Sequence, residues 1–236
     1  MRHSEIHQNG CHWQLHDPTI LEQLPEWLFD PDALATRNML TGESSGRRSA
    51  WFLRFGDHNM VLRHYWRGGM VARISADVYV WTGLERTRPW REWHLLAQMR
   101  AVGLPVPVPV AARVSRQGPG YRGDLLTLAI PGAEPLDTVI HAGADNVALW
   151  GSIGKTIRRF HIAGFRHADL NVRNILVDAE RRIWLIDWDR GTHRTDHDWA
   201  LGNIARLRRS LQKDPALKAA ADRHWQRLLA SYETPL

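Results

Sequence analysis

His167-Ala168-Asp169-Leu170-Asn171-Val172-Arg173-Asn174-Ile175-Leu176-Val177 decides the reading of this chain, and Ile186-Asp187-Trp188-Asp189 completes it. The apolar runs Ile175-Leu176-Val177 and Ile183-Trp184-Leu185-Ile186 predict two short buried strands. The polar Asp178-Ala179-Glu180-Arg181-Arg182 between them predicts a turn. Such a strand pair carries Asn174 just before its first strand and Asp187 at the end of its second. An ordinary hairpin with polar ends is the bland alternative, but the spacing of the polar residues speaks against it.

Asn174 follows Asp169 by five positions, and Asp187 follows Asn174 by thirteen. This is the spacing of a protein-kinase-like catalytic loop and its metal-binding aspartate. Phosphoryl transfer needs those groups: one carboxylate orients the attacking hydroxyl and accepts its proton, while an amide and a second carboxylate hold Mg²⁺ against the triphosphate of ATP. The spacing therefore makes Asp169 the catalytic base and Asn174 and Asp187 the metal ligands. Asp189 stands where protein kinases have glycine and fits two roles equally, a ligand to a second Mg²⁺ or a cap on the following turn. Asp198, before Trp199, is expected to brace the loop.

Working outward, residues 1–35 show no clear period and are expected to form an extension packed on the first lobe. Residues 49–55 and 59–65 read as strands around the turn signal Gly56-Asp57-His58. A helix fits Trp90 to Val102, stopped by Gly103 and Pro105. Residues 106–110 read as extended and Leu125–Ile130 as a buried strand, broken by Pro131-Gly132. Beyond it Trp150, Ile153, Ile157 and Phe160 recur at helical spacing, and two further helices fit the tail. The expected fold is α+β and bilobal, protein-kinase-like: a strand-rich nucleotide-binding lobe over 1–131, a helical catalytic lobe over 132–236, and the active site in the cleft. Gly151-Ser152-Ile153-Gly154-Lys155-Thr156 imitates a P-loop, but position 149 is leucine and the stretch lies within a helix pattern.

A kinase also needs a phosphate-covering loop and a cation early in the chain. The stretch from Thr41 to Ala50 offers Gly42 and Gly46 for backbone approach to phosphate, although it departs from G-x-G-x-x-G. Val61-Leu62-Arg63 sits where Ala-Ile-Lys is usual, so Arg63 replaces lysine as the phosphate ligand, with a planar fork in place of a point charge. Glu92, on the next helix, is its expected carboxylate partner; Glu85 lies before Pro89 and is set aside.

The chain has 236 residues, 44% of them hydrophobic, and one cysteine, Cys11, which excludes an internal disulfide framework and suits a reducing compartment. No apolar run approaches a spanning helix and the N-terminus lacks an apolar signal core, so the chain reads as cytoplasmic. The formal charge of +6 suits an anionic partner, yet no zinc-finger spacing, helix-turn-helix or aromatic-basic RNA pattern points to nucleic acid. Twelve tryptophans, several beside arginine, suit a membrane–water interface, although core filling is the commoner use of any one of them. The histidines near His193 and His197 match no zinc spacing and read as solvated loop residues.

Four segments carry a closer resemblance: Leu62-Arg63-His64-Tyr65-Trp66-Arg67-Gly68-Gly69, Trp90-Arg91-Glu92-Trp93-His94-Leu95-Leu96, His167-Ala168-Asp169-Leu170-Asn171, and Trp184-Leu185-Ile186-Asp187-Trp188-Asp189-Arg190-Gly191. In these, from about Gly42 to Leu211, the chain resembles the 3-deoxy-D-manno-octulosonic acid (Kdo) kinases of the lipopolysaccharide kinase family of Gram-negative bacteria. The resemblance implies ATP-dependent phosphorylation of the 4-hydroxyl of a Kdo residue on a lipid A precursor. It also implies work at the cytoplasmic face of the inner membrane, as a peripheral protein on an anionic surface, in lipopolysaccharide core biosynthesis. Two other readings stand beside it: a phosphotransferase of the same fold acting on a core heptose, an aminoglycoside or a protein, and a catalytically silent binding module. The full set of Asp169, Asn174 and Asp187 argues against silence.

Overall fold

The structure, a computed structural model, describes residues 4–43, 50–66, 77–196 and 198–234. The fold is α+β, and the chain divides into two compact units: Met1–Ala97 with Val108–Ala129, and Gln98–Pro107 with Ile130–Leu236.

The first unit is built on a sheet of β1 (Glu5–Asn9), β2 (His12–His16), β3 (Leu40–Glu43), β4 (Ala50–Phe55), β5 (His58–His64), β6 (Tyr79–Val80), β7 (Pro109–Gln117) and β8 (Gly120–Leu128). Its order is β1-β2-β7-β8-β5-β4-β3, with β6 also on β8, and the pairings are antiparallel. Alternation along β5 buries Met60 and Leu62 on one face and turns Arg63 to the other. On the Leu62 face Leu53, Ala111 and Leu126 pack with Leu21, Leu28, Phe29 and Leu34. Leu34 comes from α1 (Pro31–Thr36), whose N-terminus is capped by the Asp30 carboxylate. The first 35 residues therefore hold a hairpin and a helix. Their strands alternate His, Gln and Asn with few apolar residues, which hides the two-residue period from a hydrophobicity reading.

Helix α2 (Arg88–Ala101) starts on Pro89 and ends at Gly103, whose φ of 73° lets the Leu104 N–H turn back to the Met99 carbonyl. Its first turns belong to the first unit, where Pro89 fills the space left by Gly123 on β8. β8 begins at Gly120, before the apolar run at Leu125, because residues 120–124 pair with β7 and β6 through the backbone.

In the second unit, α3 (Leu136–His141) follows the turn at Pro131-Gly132 and the short β9 (Glu134–Pro135). Helix α4 (Val147–Ile162) is capped by Asn146 and buries Trp150, Ile153, Ile157 and Phe160 on one stripe. The P-loop imitation lies inside it. A side chain at Gly154 would collide with the Leu228 carbonyl of α6 (Pro215–Glu233), so the glycine serves helix packing. After β10 (Phe165–Arg166), β11 (Ile175–Val177) and β12 (Ile183–Leu185) form the expected hairpin, paired Ile175 to Leu185 and Val177 to Ile183. Asp178 closes its turn by accepting from Arg182 N–H, Arg182 Nε and Trp184 Nε1. Burial pushes the Asp178 carboxyl up, but the hydrogen bonds from Trp184 and Arg182 outweigh it and hold the group below its usual range. β13 (Thr192–His193) pairs with β10, and α5 (Ala200–Leu211) completes the unit. Among the described residues no helix is long and apolar enough to cross a membrane. Trp90, Trp93, Trp150 and Trp188 are buried, and the other eight tryptophans are partly covered, so the tryptophan excess serves packing first.

Candidate active site

In the first unit, Arg63 on β5 and Glu92 on α2 meet in a two-pronged ion pair. Nη1 lies 2.8 Å from Glu92 Oε1 and Nη2 3.4 Å from Oε2. Glu92 is 1% exposed, and the Tyr65 hydroxyl donates to its Oε2 at 2.5 Å. A carboxylate this deep is tolerable because each oxygen has a donor. Tyr65, quoted above only as part of a resemblance and with no role assigned, reaches Glu92 because residues 63 and 65 leave the same side of the extended chain. Gly42 lies on β3, exposed, opposite Phe52. Gly46 and the neighbouring Arg47 and Arg48 lie outside the described residues.

In the second unit the segment from His167 to Asn174 folds around His167, which is 1% exposed. The Asp169 N–H donates to His167 Nδ1 at 3.1 Å, which makes Nδ1 the acceptor and leaves Nε2–H to donate to the Ile186 carbonyl at 2.8 Å. Burial holds this imidazole below its ordinary range, more strongly than the Ile186 bond and the nearby carboxylates raise it. The neutral ring thus ties the Asp169 loop to the residue preceding Asp187. Asn174 secures the same loop from its other end: its Nδ2 donates to the Asp169 carbonyl at 2.9 Å, and its own backbone carbonyl accepts from Ile186 N–H at 3.0 Å.

Asp187 itself lies beyond β12, which ends at Leu185, and its φ is 64°. An aspartate in this left-handed conformation is locally strained, and the clamps on Ile186 hold it there. Trp188 is buried between Phe160 and His167, at ring distances of 5.1 and 4.5 Å, and donates to the Leu185 carbonyl. Half-buried Asp189 follows. The Asn174 amide nitrogen donates to the loop, so its oxygen points to a different partner. An amide oxygen and the carboxylates of Asp187 and Asp189 are the hard oxygen donors that Mg²⁺ prefers, so these residue types fit that ion.

The first of the two helices expected in the tail forms as α5 and supports the loop through polar residues that the apolar spacing did not single out. On α5, Asn203 donates to the His167 carbonyl at 2.7 Å, Arg206 Nη1 lies 3.0 Å from Asp169 Oδ1, and Ser210 Oγ accepts from Val172 N–H at 3.1 Å. These residues recur at helical spacing beside the buried Ile204, Leu207 and Leu211. Polar residues so close to an apolar stripe are the signal that would have found them. Asp198, expected as the brace, is exposed, and Asn203 occupies that role. The arrangement presents one carboxylate, Asp169, beside a guanidinium on a loop whose backbone is tied at His167, Val172 and Asn174.

The chain is similar to known proteins over most of its length. The Lipopolysaccharide kinase (Kdo/WaaP) family matches residues 32–232. The chain is 42% identical over 228 residues to the 3-deoxy-D-manno-octulosonic acid kinase of Stenotrophomonas maltophilia strain K279a, covering 90% of each chain. It is 35% identical over 239 residues to the protein of that name from Actinobacillus succinogenes, covering 97% of this chain and 99% of the other. Among solved structures it is similar to WbdD, co-crystallised with the kinase inhibitor LY294002, with a TM-score of 0.47 and 16% identity over 82% of this chain and 44% of that one. With matches of this extent on the sequence side, the chain belongs to the lipopolysaccharide kinase (Kdo/WaaP) family.

Proposed function

We propose that this protein transfers the γ-phosphoryl group of ATP to the 4-hydroxyl of a Kdo residue on a lipid A precursor, within a protein-kinase-like domain. The observation that carries the reading is the loop at Asp169, a half-exposed carboxylate on a backbone held by buried His167, Asn174 and Asn203 in a chain of this family. Asp169 orients the acceptor hydroxyl and takes its proton as the oxygen attacks phosphorus. The new O–P bond replaces the bond between the β- and γ-phosphates, and ADP leaves. Asn174 and Asp187, with Asp189 beside them, hold Mg²⁺, which when bound neutralises charge developing on the phosphates. Arg63, set by Glu92 and Tyr65, contacts the nucleotide phosphates, and Gly42 and Gly46 belong to the loop covering them. Residues 1–131 thereby serve the nucleotide and residues 132–236 the catalysis.

The acceptor is lipid-linked, so the protein works as a peripheral protein at the anionic cytoplasmic face of the inner membrane. The formal charge of +6 supports attraction to that surface. The tryptophans contribute less than their number suggests, because none of them is exposed. The decisive experiment offers labelled ATP to the purified chain with a Kdo-bearing lipid A precursor, with the unglycosylated precursor and with a heptose-bearing acceptor. Label entering the first and absent from the second supports the reading. Label entering only a heptose-bearing acceptor refutes it in favour of another sugar kinase of the same family.

A further inference from the structure

The first hairpin carries a cluster that phosphoryl transfer leaves unused. Glu5 and His16 are directly paired across β1 and β2, so their side chains leave the same face of the sheet, and His7 shares that face by alternation. His7 Nε2 lies 3.5 Å and His16 Nε2 4.0 Å from one carboxylate oxygen, Glu5 Oε2. A donor atom from each of the three lies within 4.8 Å of the others, and the two imidazoles stack at 5.5 Å. His16 is the unusual member. It is 1% exposed, and neither of its ring nitrogens has a hydrogen-bond partner. It ends a lateral row of otherwise apolar residues, Leu62, Leu126 and Ala111, where hydrophobic packing alone would place another aliphatic side chain. A buried polar ring without a partner in a native fold calls for a ligand or a compensating charge.

We propose that Glu5, His7 and His16 hold a divalent first-row transition ion of the Zn²⁺ type. Two imidazole nitrogens and one carboxylate oxygen form a donor set that suits zinc, whereas Mg²⁺ and Ca²⁺ take oxygen throughout. Tetrahedral bonds of about 2.0–2.1 Å put neighbouring donors roughly 3.4 Å apart, so the two separations from Glu5 need close by less than about 1 Å. Burial pushes the His16 imidazole below its ordinary range and so favours the neutral form that ligates. Glu5 and His7 are more than half exposed, which leaves the fourth position to water. The ion joins β1, an edge strand with every residue exposed and β2 as its partner in the sheet, to a buried anchor. It is a clamp on the N-terminal edge, separate in residues and donor chemistry from the Mg²⁺ ligands.

The test uses the full chain stripped of metal by chelation and titrated with Zn²⁺ by calorimetry, beside His7→Ala, Glu5→Gln and the control His193→Ala. Both test positions are exposed, so these variants keep the fold, which thermal unfolding without metal verifies. The expected result is one saturable site in the wild type and in the control. It should weaken in both test variants by at least the roughly 10–100-fold that outer partners of a metal site alone are worth. Hydrogen exchange of the β1 amides should slow on Zn²⁺ addition in the wild type and not in His7→Ala. No saturable uptake, or uptake equal in the wild type and the test variants, overturns the proposal, and neither result bears on sugar phosphorylation.

Discussion

Replacing His167 by phenylalanine tests whether one buried ring sets the geometry of both acidic groups. Phenylalanine keeps an aromatic ring against Trp188, now 4.5 Å away, while deleting both nitrogens. The Asp169 N–H and the Ile186 carbonyl then lose a partner that is itself 1% exposed, although Asp169 is exposed and Ile186 half-buried. An orphaned buried group costs about 1–3 kcal/mol, and water reaches these two in part, so the substitution should destabilise the fold by about 2 kcal/mol. That is a large share of the ~5–15 kcal/mol of a typical domain. A loop displaced by an ångström loses on the order of 10²-fold in turnover. Urea unfolding and steady-state kinetics at pH 8 measure the two effects separately, and the KM for ATP should change less than kcat. The histidine also brings a pH dependence. Its folded pKa is depressed, so the unfolded chain takes up the proton first as pH falls. Its contribution is full above the unfolded value of 6.5 and is lost as pH falls below that towards the folded value, so the stability gap between wild type and variant narrows on acidification. Wild-type turnover in a folded His167→Phe protein, or a gap that widens below pH 6.5, would refute the reasoning.

Asp169→Asn should lower turnover by ~10²–10⁴-fold with nucleotide affinity nearly unchanged, and wild-type turnover by the purified variant would end its assignment as base. Arg206→Ala should change stability by less than about 1 kcal/mol, because both partners of its ion pair are about half exposed. Its turnover should nevertheless fall by up to about 10²-fold through misplacement of Asp169, and unchanged kinetics would leave Arg206 a surface residue. Arg63→Ala should raise the ATP requirement and also unfold more easily, by less than the ~3–5 kcal/mol of a fully broken buried pair because Glu92 keeps the Tyr65 hydroxyl; Arg63→Lys should rescue only partly, and full activity in Arg63→Ala would move the phosphate cation elsewhere. Vesicles of anionic lipid should bind the protein at low salt and release it at high salt, whereas salt-independent binding would indicate hydrophobic insertion.

The regular elements were legible wherever a single period governed them. The hairpin of β11 and β12, the stripe of α4 and the strand pair of β4 and β5 are each marked by apolar residues at one spacing. The first hairpin was not, because its strands alternate polar residues on both faces. Nor was the full length of β7, expected to end near Val110, which continues through Ser115, Arg116 and Gln117 on backbone pairing with β8. In the candidate site, the residues named from spacing are those whose separation along the chain is set by the loop and hairpin themselves. Tyr65, Asn203, Arg206 and Ser210 act across tertiary contacts: the apolar stripe of α5 marks the three helix residues as facing inward, but local spacing does not encode which loop they meet.

The doubly clamped peptide at Ile186 has a consequence for how this segment can vary. Both clamps grip main-chain atoms, the N–H held by Asn174 and the carbonyl held by His167. The half-buried isoleucine side chain takes no part in either, so aliphatic replacements at this position leave the approach to Asp187 intact. Proline is the exception, since it lacks the N–H and would undo one clamp without altering a single acidic residue. Substitution at this position is therefore bounded by backbone chemistry, and within the clamp only position 167 needs a particular side chain, because Asn174 contributes its main-chain carbonyl.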